Sequence, residues 1–218
     1  MAKITTVLFD YDGTLMDTDD LIIDDWQYTY RQMTGEELSV KEILSSFGEA
    51  LHFTMSKYFS GEDLEKAIQI HHDHQTATYL ERIGMFGGMK ELVLELKEKG
   101  YQVGVVTSRR KGSTMLGLEK YQLTDVFDVI VTADDTEKHK PEPEPVLYAL
   151  RALDRTAEET VLVGDTIMDI GCGQAAGVKT VWCTWAIAAK TETRSMNPDH
   201  RINAAGEFWS VLEALDAE

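Results

Sequence analysis

VLFDYDGTLMDT, residues 7 to 18, places Asp10 and Asp12 one residue apart at the end of an apolar run. Two like charges so close repel, and burying them is unfavourable unless a cation sits beside them. Gly13 follows at once, and Asp-Gly is a turn signal. The stretch reads as a buried strand that ends in a turn and presents two carboxylates at its carboxyl edge.

Working outward, ITTVLF (4–9), QVGVVT (102–107), FDVIVT (127–132), TVLVGD (160–165) and KTVWCT (179–184) are continuous apolar runs rather than alternating ones. That pattern suits strands buried on both faces. Helical spacing separates the later runs. Leu92, Val93 and Leu96 share a face in 88–99, which stops at Gly100; Val146, Leu147 and Leu150 do so in 144–153; residues 168–176 stop at Gly177. Thr156 and Glu159 have capping-box spacing but lie against the next strand, so they read as a turn. The expected fold class is α/β, a doubly wound, Rossmann-like parallel sheet with right-handed crossovers.

Residues 19 to 83 carry no strand pattern. Four segments there have helical spacing, one of them opened by a Ser39/Glu42 capping box, and three are read as stopping at Gly35, Gly48 and Gly61. An insert of about 65 residues is longer than ordinary connections. It is expected to form a small all-helical cap domain over residues 18–84, set on an α/β core of residues 1–17 and 85–218.

The chain has 218 residues, 43% hydrophobic and 27% charged, which fits a globular protein rather than a disordered or membrane-spanning one. Its net charge of −17 argues against nucleic acid as a partner, because phosphate backbones need clustered Lys and Arg. A small anionic substrate needs only a local positive site. MAKITTVLFD runs straight into a strand pattern, so no signal peptide, no membrane partner and a cytoplasmic location are expected. Cys172 and Cys183 sit in apolar surroundings and read as free core thiols.

Ligands in open parallel sheets bind beyond the carboxyl ends of the strands. Asp10 and Asp12 follow the first run; Thr107, Ser108 and Arg109 follow the second; Lys140 lies beyond the third; Asp165 and Asp169 follow the fourth. Carboxylate oxygens gathered at one edge are what Mg²⁺ requires, with substrate phosphate and water completing its shell. That cation resolves the repulsion between the paired aspartates.

Asp-x-Asp-Gly-Thr-Leu, a threonine ending the next strand, Lys140-Pro141 and Gly-Asp-x-x-x-Asp, in that order, resemble the four motifs of the haloacid dehalogenase superfamily. The helical insert after the first motif resembles the cap of its first subfamily. KPEPEP, HDH and the length are most similar to its phosphoglycolate phosphatases and PpaX-type pyrophosphatases. The resemblance implies a Mg²⁺-dependent phosphatase acting on a small phosphorylated metabolite, phosphoglycolate-like, through an aspartyl-phosphate. Asp10 is then the nucleophile, Asp12 the general acid and base with its main-chain carbonyl on the metal, and Lys140 the neutralising cation. Thr107 and the Ser108 amide bind phosphoryl oxygens at a helix N-terminus, and Arg109 touches the substrate. The implied metal set is Asp10, Asp12, Asp165 and Asp169, the last orienting either the metal or Lys140.

Hydrolysis of pyrophosphate is the alternative substrate reading. A β-phosphoglucomutase-like transfer is a further one, weakened because SFGEALHF, in the place of the specificity loop of related enzymes, holds no arginine. A non-catalytic phosphate-binding regulator requires a missing motif, and none is missing. Phe86 stands where many relatives have proline, which alters a hinge and not the chemistry. His71 and His74 are one turn apart, as helical metal ligands are, but lack a clear third ligand. A partly exposed helix face is the preferred reading, with one histidine reaching the cleft as another. Trp182 and Trp185 read as packing, and Arg110 and Lys111 as surface residues.

Overall fold

The computed structural model describes residues 3–192 and 197–217. Strand β1 (Thr6–Phe9) is wholly buried. Val7 and Phe9 pack into one apolar cluster, and Leu8 packs into another on the opposite face. This is why the run is continuous rather than alternating. β2 (Met16–Asp17) pairs antiparallel with β3 (Gly84–Met85), apart from the main sheet. The main sheet also contains β4 (Gln102–Val106), β5 (Val129–Val131), β6 (Thr160–Gly164), β7 (Lys179–Cys183) and β8 (His200–Ile202). Its order is β5-β4-β1-β6-β7-β8, and every pairing is parallel.

Helix α5 (Met89–Glu98) contributes Leu92, Val93 and Leu96 to the first cluster, with Phe208 and Leu212 of α10 (Phe208–Ala217). Val146 and Leu150 of α7 (Glu144–Leu153) and Cys172 of α8 (Ile167–Ala176) fill the second. The doubly wound α/β fold is therefore present. Leu147, expected in the α7 stripe, is exposed instead; Ala149 and Leu153 complete the buried stripe, because 147 lies one position off the inward face. Both cysteines are buried and free.

Between β2 and β3 run α1 (Asp19–Thr34), α2 (Val40–Leu44), α3 (Leu51–Met55) and α4 (Gly61–Arg82). Trp26, Ile43, Phe47, Met55 and Ala67 make an apolar cluster of their own here, joined by Ala188 of the short helix α9 (Ile187–Thr191). Gly35 closes α1 in the left-handed conformation as expected, and Ser39 with Glu42 opens α2. Gly48 and Gly61 do not end helices. α2 stops at Leu44, where the Ser45 and Ser46 hydroxyls donate back to Glu42 and Ile43 carbonyls, and Gly61 begins α4. No helix among the described residues is long and apolar enough to cross a membrane.

Candidate active site

Asp10 follows β1, and its amide extends the ladder by donating to the Val163 carbonyl at 2.8 Å. Its carboxylate accepts from the Tyr11 amide at 2.7 Å and pairs with Lys140 Nζ at 2.7 Å. Lys140 Nζ also meets Asp169 Oδ1 at 2.5 Å and donates to the Val106 carbonyl at 3.3 Å. The other oxygen of Asp169 accepts from the Thr166 amide and hydroxyl, so the residue caps α8 while it holds the lysine.

Asp165 follows β6, and its main-chain carbonyl is held by Trp182 Nε1 at 2.8 Å. Thr14 Oγ1 donates to its carboxylate at 3.3 Å. Gly13, at φ +74°, lies flat against that carboxylate; a Cβ there would come within 2.3 Å of Asp165 Oδ2. Oxygens of Asp10, Asp165 and Asp169 lie within 4.8 Å of one another, and all three residues are buried.

Asp12 is not part of that group. Its carboxylate is gripped bidentately by Arg109 Nε at 2.9 and 3.0 Å, with a terminal nitrogen at 2.9 Å, and Thr18 Oγ1 donates to it at 2.8 Å. Arg109, expected to touch substrate, is buried on the cavity lining, with its guanidinium 5.1 Å from the Tyr79 ring and 5.8 Å from that of Tyr11. The Tyr11 and Tyr79 hydroxyls meet at 2.7 Å, joining the residue between the two aspartates to α4. Burial opposes the Arg109 charge, yet Asp12 together with Tyr79 and Tyr11 outweighs it and strengthens proton binding.

Thr107 follows β4, and its Oγ1 accepts the Arg109 amide at 3.1 Å. The helix expected directly behind it, α6 (Lys111–Lys120), begins four residues on, because Arg110 is extended. Thr107 and Ser108 thus occupy a loop rather than a helix N-terminus. Ser108 Oγ donates to the Gly48 carbonyl at 2.8 Å, tying this loop to the helical insert. Gly48, at φ +83°, has no room for a side chain, since a Cβ would lie 2.5 Å from Thr166 Oγ1.

The neighbouring histidines part ways. His74 Nδ1 lies 2.8 Å from Asp25 Oδ1, and its ring stacks on Tyr28 at 4.0 Å, a brace between α4 and α1. His71 is buried and lines the cavity between insert and sheet, so the metal-pair reading and the exposed-face reading both give way to the cleft reading. His72 is exposed at the same cavity. Trp182 packs as expected but also fixes Asp165, and Trp185 Nε1 donates to the Thr14 carbonyl at 3.2 Å.

Burial pushes the Asp10 carboxyl up to about 8, helped by Asp169 and resisted by Lys140. Burial likewise raises Asp165, with Asp169 and Asp10 adding to it. Three buried carboxylates face one ammonium, an excess of two negative charges when all are ionised. An all-oxygen donor set with that excess fits a hard divalent cation.

Residues 7–183 match the family model for haloacid dehalogenase-like hydrolases. The chain belongs to that family. As a haloacid dehalogenase-like hydrolase of the phosphatase kind, it is 36% identical to the pyrophosphatase PpaX of Bacillus mycoides, over 98% of this chain and 99% of that one. It is equally close, at 36%, to the pyrophosphatase PpaX of Bacillus cereus, with the same coverage. Among solved structures, a predicted phosphoglycolate phosphatase of Haemophilus somnus superposes with a TM-score of 0.87 at 16% identity, over 97% of this chain and 99% of that one. At that identity the likeness is one of fold.

Proposed function

We propose that this chain is a Mg²⁺-dependent phosphatase that hydrolyses a small phosphorylated substrate through an aspartyl-phosphate on Asp10. The observation that carries this reading is the buried Lys140 ammonium between Asp10 and Asp169, with Asp165 in the same group. Asp10, Asp165 and the main-chain carbonyl of Asp12 would hold the cation, and Asp169 would support it through Lys140. Bound there, Mg²⁺ supplies positive charge that offsets repulsion between the Asp10 carboxylate and the phosphoryl oxygens.

The rest falls to the chain's own groups. An Asp10 oxygen attacks phosphorus as the bond to the leaving oxygen breaks, and Asp12 gives that oxygen a proton. Asp12 then takes a proton from water, whose oxygen attacks the same phosphorus and frees Asp10 with release of orthophosphate. Arg109 positions Asp12 for both transfers, and Thr107 with the Ser108 amide receives phosphoryl oxygens. Helices α1–α4 act as a cap, with residues 18–84 as the cap domain and 1–17 with 85–218 as the core.

Phosphate release should be measured on phosphoesters and pyrophosphate, with Mg²⁺ or EDTA, for wild type and Asp10→Asn. Turnover that needs Mg²⁺ and disappears in the variant is expected. Turnover that survives Asp10→Asn overturns the covalent mechanism, and none by wild type overturns the enzyme reading. The full-length likeness to proteins named pyrophosphatases supports pyrophosphate as a second substrate reading.

A further inference from the structure

The carboxylates open into a cavity of about 410 Å³ between the sheet edge and the helical insert. Pockets of about 300–1,000 Å³ enclose ligands with a ring-sized body. On the insert side Ile22 and Trp26 of α1, Phe47 and Leu51 flanking the turn before α3, and Ile68 of α4 give the wall its apolar area, with Ser46, Thr54, Gln75 and Thr76 interspersed as neutral hydrogen-bonding groups. His71 stands among them with its ring edge-on to Trp26 at 6.1 Å, and its buried Nδ1 has no hydrogen-bond partner. Burial, reinforced by the Arg109 charge, lowers its pKa to about 3, so it is a neutral hydrogen-bonding group at ordinary pH.

The Arg and Lys side chains of the cavity wall are already matched. Arg109 is held by Asp12 and Lys140 by Asp10 and Asp169 within the site, whereas Arg110 pairs with Asp134 at its solvent-exposed rim. Glu49, also on the wall, is an acid paired with Lys57. A second anionic group held against the inner wall would therefore lose its water without gaining a buried counter-charge. An apolar group there would gain by leaving water.

From this wall we infer that the group esterified to the phosphate is apolar: the substrate is a phosphomonoester of an aromatic or comparably apolar alcohol, with one hydrogen-bonding group for His71. Pyrophosphate and phosphoglycolate, which carry a second anion in that place, are the disfavoured class, so on this point the wall stands against the second substrate reading above. The inference rests on the phosphatase reading of the same site, and binding and turnover separate the two.

Calorimetry with Mg²⁺ should compare benzylphosphonate, phosphonoacetate and methylenediphosphonate, none of which can be hydrolysed at phosphorus by loss of an alcohol. Benzylphosphonate is expected to bind about tenfold more tightly than either analogue with a second anionic group, as burial of one ring on an apolar wall provides. Equal affinities, or the reverse order, overturn the inference. Turnover of benzyl phosphate, ethyl phosphate, phosphoglycolate and pyrophosphate is read in parallel, and benzyl phosphate should have the highest kcat/KM. Fast turnover led by either anionic substrate sinks the substrate class and leaves the phosphatase intact. No turnover of any, with benzylphosphonate still the tightest ligand, sinks the phosphatase reading and leaves the apolar site standing. Leu51→Lys, at a half-buried position, should erase the benzyl preference and improve methylenediphosphonate binding; an unchanged preference in a folded variant counts against the wall as its origin.

Discussion

Arg109 touches Asp12 with three nitrogen–oxygen contacts of 2.9–3.0 Å and lies over two tyrosine rings, so the carboxylate proposed as acid and base does not choose its own direction. Arg109→Gln keeps a planar polar group but loses the fork and the charge. It should lower kcat by about 10²-fold, the lower end of what a positioned acid–base group contributes. KM should move little, and the pH profile of kcat should shift; a KM change with constant kcat would make Arg109 a substrate ligand instead. The aspartates and Lys140 were legible in the sequence because each follows an apolar run at the same sheet edge. The Arg109–Asp12 pair was not, since it joins residues 97 apart, and the place of Arg109 in SRRKGS marks it for the site without saying which carboxylate it meets. His71 and His74 misled for a related reason: spacing shows which residues share a helix face, and not that Asp25 waits for one of them.

Helix α4 is fixed to α1 by a buried acid. Asp25 accepts from Gln75 Nε2 at 3.1 Å and faces His74 Nδ1 at 2.8 Å, and burial raises its pKa against the pull of both partners. Asp25→Ala strands those partners and should destabilise the helical insert by about 1–3 kcal/mol. Hydrogen exchange should quicken in α1 and α4 while β1, β4 and β6 keep their protection; uniform loss across the sheet would mean that insert and sheet unfold as one. Long elements were readable, since ten-residue α7 has more than two turns of stripe and β1 a neighbour on each side. The two-residue β2 and β3 hold no period, and three-residue β8, unlike the equally short β5 with its Val-Ile-Val, has only Ile202 as an apolar signal, so these depend on what they dock against. Gly48 and Gly61 show the same limit, since a left-handed glycine marks a turn without saying whether a helix lies before it or after it.

For the whole molecule, the buried acids make metal-free stability depend on pH. Asp10 rises from an ordinary 3.8 to about 8 and Asp19 to about 6, burial being the first cause of each, and Asp165 rises with them. Between those values the folded chain holds protons that the unfolded chain has released, so stability falls as pH rises. Their contribution is complete below about 3.8 and is lost as pH passes through about 6 and then about 8. Thermal melts in EDTA should therefore decline over that interval. Mg²⁺ should flatten the decline by standing in for the protons; parallel slopes with and without Mg²⁺ would show that these carboxylates bind no cation. The β2–β3 pair has another consequence. Asp17 lies opposite Gly84, so the chain leaves the sheet for its helical excursion and returns through a single doorway. A lineage can exchange everything beyond that doorway without lengthening or re-threading the strands that carry the aspartates. Such an exchange has conditions, among them a hydroxyl at Thr18 for Asp12, a ring at Tyr79 for Arg109 and a bare turn at Gly48 for Ser108, the places where the exchanged part must still speak to the strands.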